Sequence, residues 1–192
     1  MTAVGQRSSG VKRPPATTLT GLPPNALLWS GSSHRSYGLF RAEKMLNDDY
    51  KEMLQLLKNN EVRFLVVGAY AMGAYGYPRA TGDMDIWIMA SGENSQRVFR
   101  ALKEFGAPLA QIDETTFAAR DIIFQIGVAP RRIDIITSID GVDFEQAWQR
   151  RVDVEIDGLS VPFISKPDLI KNKESTGRDK DLLDVKYLKS VD

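Results

Sequence analysis

The stretch that most constrains how this chain folds is Val66-Val67-Gly68-Ala69, followed after thirteen residues by Asp83-Met84-Asp85-Ile86. It reads as an apolar strand running into a glycine turn and a short helix, then a second strand with acids at alternate positions. Alternate side chains of a strand share a face, so Asp83 and Asp85 project together while Met84 and Ile86 face a core. Two carboxylates side by side repel each other, and nothing about folding asks for that arrangement. A divalent cation supplies the missing positive charge. Mg²⁺ prefers oxygen ligands, keeps several waters, and is commonly held by one or two carboxylates together with substrate phosphates.

A third acid completes the set. In Arg132-Ile133-Asp134-Ile135-Ile136 the carboxylate is flanked by apolar residues. That places it on a strand buried on one face, where a lone charge is costly unless paired or metal-bound. Three acids around two divalent ions suit in-line phosphoryl or nucleotidyl displacement. One ion lowers the pKa of the attacking hydroxyl and the other neutralises the departing pyrophosphate. The Gly68-Ala69 turn fits the same chemistry: a helix starting there offers backbone N–H groups and a positive dipole end to an anion. Its small residues let a triphosphate approach closely. Arg79 and Thr81, just ahead of the acids, add a guanidinium and a hydroxyl for phosphate oxygens.

The surrounding pattern gives the fold class. An amphipathic helix over 45–57 is closed by Asn59-Asn60, and a strand follows over 62–67. A short helix from Gly68 ends near Gly76. Next come a strand over 84–89, a helix over 95–105, strands over 122–126 and 133–136, and a helix beginning at Phe144. Residues 152–156 and 159–163 flank Asp157-Gly158, a strong hairpin signal. Helices over 167–175 and 179–188 close the chain. Strands and helices alternate without a strict βαβ rhythm, which predicts an α+β domain with a mixed β-sheet packed with helices over 45–192. Residues 1–44, rich in Pro, Ser, Thr and Gly, bury too little apolar surface to offset ordering entropy and read as disordered. That segment is a solvated tail, a cleavable transit-like segment or translation from a misassigned upstream start; Met45, directly before the first periodic segment, favours the tail or the wrong start.

Composition removes several function classes. Cysteine is absent, which excludes a disulfide scaffold and thiolate metal sites and fits a cytoplasmic location. No apolar run approaches the roughly 18 residues of a membrane span. Residues 1–44 carry six basic residues and one acid, leaving 19 basic against 24 acidic residues in 45–192, a net charge of −5. That is not the footprint of a sequence-general nucleic-acid binder. The only histidine, His34, lies in the tail, so histidine acid–base chemistry is excluded.

Three groups of residues carry a resemblance. They are Gly68-Ala69-x-Ala71; Gly76-x-Pro78-Arg79-x-Thr81-x-Asp83-x-Asp85; and Arg132-Ile133-Asp134-Ile135. Together they resemble the polymerase-beta-like nucleotidyltransferase superfamily, and more narrowly the small bacterial AbiEii/MenT-type nucleotidyltransferases of toxin–antitoxin systems. Lys171-x-Lys173-x3-Gly177-Arg178-x-Lys180-Asp181-x2-Asp184 is similar to the closing segment of that group. The resemblance implies a nucleotidyltransferase fold and Mg²⁺-dependent transfer of a nucleoside monophosphate from an NTP such as ATP to an acceptor hydroxyl. It implies Asp83, Asp85 and Asp134 as the metal-binding and catalytic acids around two Mg²⁺ ions. It further implies Gly68, Ala69, Lys173 and Arg178 as triphosphate contacts, beside Arg79 and Thr81. The acceptor stays open between a tRNA 3′ end, a protein and a small molecule, and an antitoxin protein is the implied partner. Ala69 departs from the Gly or Ser common at the second turn position, which removes one hydroxyl contact.

Each signal also has a plainer reading. Asp83 and Asp85 alone would suit a half-exposed strand edge, and Asp134 would suit a surface pair with Arg131 or Arg132. Lys173, Arg178 and Lys180 would suit solvated helix ends. Asp181 and Asp184 read better as helix-surface partners of nearby lysines than as metal ligands, and Tyr70, Tyr75 and Tyr77 as packing residues. At the level of the whole protein the alternative is a catalytically silent nucleotidyltransferase-like domain that binds nucleotide or a protein partner.

Overall fold

The computed structural model describes residues 3–6 and 46–190. The disordered-tail expectation for 1–44 therefore lies outside the described residues except at 3–6, as do Met45 and His34. Helix α1 (Asp48–Asn59) starts at Asn47, whose side chain accepts a hydrogen bond from the Tyr50 N–H at 2.8 Å and satisfies one of the orphan donors of the first turn. Asp48 and Asp49 at its start and Lys58 at its end complement the helix dipole. Tyr50, Met53, Leu54 and Leu57 recur at helical spacing and form its buried face.

Strand β2 (Phe64–Val66) leads into α2 (Gly68–Ala74), and β3 (Asp83–Ile88) into α3 (Gly92–Phe105). Helix α3 begins earlier than the expected 95 because Ser91 caps it, accepting from the Asn94 N–H; it stops at Gly106, which takes the left-handed conformation. A 3₁₀ turn (Thr116–Ala118) precedes β4 (Ile122–Ile126) and β5 (Arg132–Ile136). Helix α4 (Phe144–Gln149), the hairpin of β6 (Val152–Ile156) and β7 (Leu159–Phe163), and helices α5 (Lys166–Thr176) and α6 (Asp179–Ser190) complete the chain. Asp157 and Gly158 both have positive φ, 49° and 78°, as the tight two-residue hairpin turn demands.

The strands form one sheet in the order β1-β4-β5-β3-β2-β7-β6, where β1 is the short segment Ala3–Gln6 paired with β4. Pairs β3–β5 and β2–β7 are parallel and the remaining pairings antiparallel, so the sheet is mixed and the domain α+β, as expected. Met84, Ile86 and Ile88 lie on one face of β3 with Ile133, Ile135 and Phe124 beside them in register, all buried. Phe117 of the 3₁₀ turn meets Phe124 edge to face, with ring centroids 5.9 Å apart. On the opposite face Trp87 is covered by Phe144 of α4 at 4.9 Å, near Ile136. That face is apolar at one end of β3 and polar at the other, where Asp83 and Asp85 stand. No helix among the described residues is long and apolar enough to cross a membrane.

Candidate active site

The parallel β3–β5 pairing sets Asp83 opposite Arg132 and Asp85 opposite Asp134, and β4 sets Gln125 opposite Asp134. Period-2 alternation puts all five side chains on one sheet face. The Asp134 side chain is only 4% exposed, whereas those of Asp83 and Arg132 are each 28% exposed. Arg132 bridges two acids: its Nε donates to Asp134 Oδ1 at 2.7 Å, and its Nη2 donates to Asp134 Oδ2 at 3.1 Å and to Asp83 Oδ2. Gln125 Nε2 donates to both Asp134 oxygens, at 3.3 and 3.2 Å. The Thr81 hydroxyl donates to Asp83 Oδ1 at 2.6 Å. Hydrogen bonding to Asp134, then the negative charges of Asp134, Asp83 and Asp85, raise the Arg132 pKa above its ordinary value, against the opposing effect of its burial.

Gly68 packs its backbone against Asp85. Its φ is +65°, and a Cβ built there would stand 2.1 Å from Asp85 Oδ2, so only glycine suits both the conformation and the contact. The neighbouring Val67 N–H donates to the Asp85 carbonyl at 3.0 Å, and α2 opens on Val67 and Gly68 with no side-chain cap. Ala69 follows in the first turn of α2. Behind the site, the Tyr50 hydroxyl donates to the Arg132 carbonyl at 3.2 Å and its ring meets Tyr70 edge to face at 5.7 Å. Burial, then the Tyr70 and Asp83 charges, push the Tyr50 pKa up to about 12; burial and then Asp83 raise Tyr70 as well. Tyr75 donates to the Ile164 carbonyl at 2.7 Å and Tyr77 stacks on Tyr187 at 4.1 Å, so both serve packing, as the plainer reading had it.

The remaining cations predicted for the site form a second cluster. Lys173, 8% exposed, donates to Asp181 at 2.9 Å and to Asp184 at 2.7 Å. Arg79 Nη1 reaches both Asp184 oxygens at 2.5 and 2.7 Å, Arg178 Nε reaches Asp181 at 2.5 Å, and the Thr176 hydroxyl donates to Asp181 at 2.7 Å. Asp181 and Asp184 are indeed partners of a lysine, but the surface placement is corrected: they are 1% and 3% exposed. Helices α5 and α6 fold onto each other and turn these acids inward, where each balances two cations. Arg79, with Tyr187 donating to the Gly76 carbonyl at 2.7 Å, ties α6 to the segment before β3. Of the predicted residues, the structure gathers Asp83, Asp85, Asp134, Gly68 and Thr81 around one end of β3. It commits Arg79, Lys173 and Arg178 to the α5–α6 acids.

Two residues missing from the predicted site belong to it. Arg132 was legible, because it sits two positions before Asp134 and period 2 puts it on the same face. Gln125 was not, because its place opposite Asp134 depends on a strand register that the sequence does not encode locally. Among the described residues no three His, Cys, Asp or Glu side chains converge in metal-ligand geometry, Asp83 and Asp134 being turned to the guanidinium between them. The chemistry of the donor set nonetheless fits a hard cation: three carboxylates share one face, and the missing side chain of Gly68 lets one of them, Asp85, lie against the turn.

Solved structures share this architecture. A protein from Thermotoga maritima assigned as a nucleotidyltransferase superposes with a TM-score of 0.51 and 17% identity, covering 79% of this chain and 99% of that one. The lincosamide antibiotic adenylyltransferase LnuA gives 0.51 and 16%, covering 78% and 100%. The antibiotic-resistance factor ANT(2″)-Ia gives 0.50 and 15%, covering 74% and 81%. At such identities the likeness shows the fold, which is the nucleotidyltransferase fold that the family resemblance implied. No curated protein matches the chain in sequence. A family model described as "Nucleotidyltransferase of unknown function (DUF6036)" matches residues 44–190. With most of its length inside that match, the chain belongs to this family of nucleotidyltransferases.

Proposed function

We propose that the unit over 45–192 is a Mg²⁺-dependent enzyme that transfers a nucleoside monophosphate from an NTP to an acceptor hydroxyl. The observation that carries this reading is the register of β3 and β5, which brings three carboxylates from two strands to one end of one sheet face. Asp83, Asp85 and Asp134 would hold two Mg²⁺ ions, which supply positive charge for the attacking oxygen and for the departing pyrophosphate. The acceptor oxygen attacks the α-phosphorus, the bond from that phosphorus to the bridging α–β oxygen breaks, and pyrophosphate leaves. Asp134 takes the hydroxyl proton. Gly68 and Ala69 bring backbone close to the phosphates. Arg79 and Arg178, whose side chains are 37% and 47% exposed, act on the triphosphate from the α5–α6 side, buried Lys173 fixes the Asp181 and Asp184 they pair with, and Thr81 keeps Asp83 oriented.

For the acceptor, the AbiEii/MenT-type resemblance favours a tRNA 3′ end and the setting of a cytoplasmic toxin with an antitoxin protein. The fold-level likeness to LnuA and ANT(2″)-Ia adds small-molecule hydroxyls to the set worth testing. The test is label transfer from each of four α-³²P NTPs with Mg²⁺ to total tRNA, total protein, lincosamides and aminoglycosides, comparing the wild type with an Asp83→Ala/Asp85→Ala variant. Transfer by the wild type alone supports the reading and names the acceptor class. Metal-dependent nucleotide binding with no transfer to any acceptor would favour the silent domain instead, with Ala69 in place of a hydroxyl as its structural correlate.

A further inference from the structure

The position between Asp83 and Asp134 is held by a side chain of the protein itself. Arg132 pairs across the strands with Asp83 and lies two residues before Asp134, so the backbone aims its guanidinium at both carboxylates. Charge-assisted bonds to two acids make it a resident counter-ion for the site. Its environment also lets it leave. Arg132 is 28% exposed, unlike Lys173, whose side chain is 10% exposed and shut in with Asp181 and Asp184.

The acids it releases keep other partners. Thr81 holds Asp83 through Oδ1, the oxygen Arg132 does not use. Gln125 holds both oxygens of Asp134. Departure of the guanidinium therefore leaves neither carboxylate without a donor, and it frees Asp83 Oδ2 and the Asp134 oxygens for another cation.

Resting on the metal reading above, we infer that Arg132 is an exchangeable counter-cation that makes the divalent ion enter together with the triphosphate. An ion arriving alone must displace a charged group that has no new anion to receive it. An ion arriving on a triphosphate brings a cation for the acids and an anion for the guanidinium in one step. The exchange conserves pairing on both sides, and it sets opposite signs for the two kinds of ligand when the arginine is removed.

The experiment is calorimetry on the full chain, wild type against Arg132→Gln, with Mn²⁺ alone and then with the Mn²⁺ complex of inorganic tripolyphosphate, a probe without a base. Arg132→Gln should bind Mn²⁺ alone roughly tenfold more tightly, the effect of one pK unit of differential interaction. It should bind the tripolyphosphate complex several-fold more weakly. Circular dichroism checks that the variant is folded; if it is not, Arg132→Lys, which keeps the charge but cannot bridge both acids as a planar fork does, takes its place and should shift both affinities in the same directions by less. Mn²⁺ bound equally by wild type and variant, or a tripolyphosphate complex bound no more weakly by the variant, overturns the inference and leaves the metal site standing. No Mn²⁺ binding to either protein, with or without tripolyphosphate, overturns both.

Discussion

Asp85 and Asp134 stand directly opposite one another across the parallel β3–β5 pair, with the Gly68 backbone packed against the first and Gln125 and Arg132 bonded to the second. Like charges so placed are unfavourable without a cation beside them, and here the Arg132 guanidinium supplies it to Asp134. Asp134→Asn should cut transfer by roughly 10²-fold or more with the fold kept, because Arg132 can still donate to the amide oxygen and Gln125 can turn its own amide oxygen to accept from the new NH2. Asp184→Ala should behave the other way. It removes a buried carboxylate shared by Lys173 and Arg79, and about 2–4 kcal/mol of stability should go with it, discounted for the exposure of Arg79. Urea unfolding and single-turnover rates measured on both variants separate the two roles.

Gly68 and Gly76 both have positive φ, +65° and +86°, but only Gly68 crowds an acid. Replacing either with alanine should cost about 1–2 kcal/mol for the left-handed backbone. At Gly76 the nearest atom to the new Cβ is the Tyr187 hydroxyl at 3.9 Å, an ordinary contact, so activity should follow stability. At Gly68 the new Cβ would meet Asp85 Oδ2, and the carboxylate must move. Gly68→Ala should lose far more activity than its melting temperature accounts for. Equal losses in the two variants, after correction for the folded fraction, would refute a special role for Gly68.

How far the sequence speaks depends on whether a feature is local. The hairpin at Asp157-Gly158 and the strand Ile122–Ile126 were legible to the residue, because turn chemistry and a short apolar run ended by a turn are written in neighbouring positions. The placement of Asp83 with Asp85, and the glycine turn before them, were legible for the same reason. The Asp134–Gln125 contact was not, since it arises from pairing between strands. Nor was the burial of Lys173, Asp181 and Asp184. Their polarity marks a solvent face on any single helix, and only the packing of α5 on α6 turns these charges inward, where Lys173 together with Arg79 and Arg178 balances the two acids.

Two buried aspartates away from the sheet acids should govern acid stability. Burial alone would raise the Asp181 carboxyl, but hydrogen bonds from Lys173 and Thr176, the Lys173 charge and Arg178 hold it below the usual carboxylate range. Asp168 is likewise held low by Arg150 and Ser165 against its burial. Both folded pKa values lie below the unfolded value of about 3.9. Their contribution is thus complete above the unfolded pKa, falls as pH drops below it, and is gone once pH passes below the folded values. Each group contributes a slope of at most about 1.4 kcal/mol per pH unit in that window. Urea unfolding between pH 3 and 7 should show wild-type stability flat above about pH 5 and falling below it, with Asp168→Asn and Asp181→Asn both flatter in the acid limb. An unchanged acid limb in both variants would remove these ion pairs as its cause.

Tyr50 makes the corresponding case at alkaline pH. Its phenol is buried, lies near Tyr70 and Asp83, and donates to the Arg132 and Pro130 carbonyls, so its pKa rises to about 12. The unfolded phenol ionises near 10. Between those values the unfolded chain has given up a proton that the folded chain keeps, so stability falls as pH rises, by at most about 1.4 kcal/mol per pH unit from this group, and the loss is complete above the folded pKa. Absorbance at 295 nm, followed with circular dichroism, should show a tyrosine ionising near pH 12 in the wild type, and that step should be missing in Tyr50→Phe. The same substitution should flatten the decline of stability between pH 10 and 12. It should also loosen the backbone at Arg132, because the hydroxyl holds the carbonyl of the residue whose side chain bridges Asp83 and Asp134. No ionisation step near pH 12, with the circular dichroism signal intact, would mean that Tyr50 is not buried beneath the acid site.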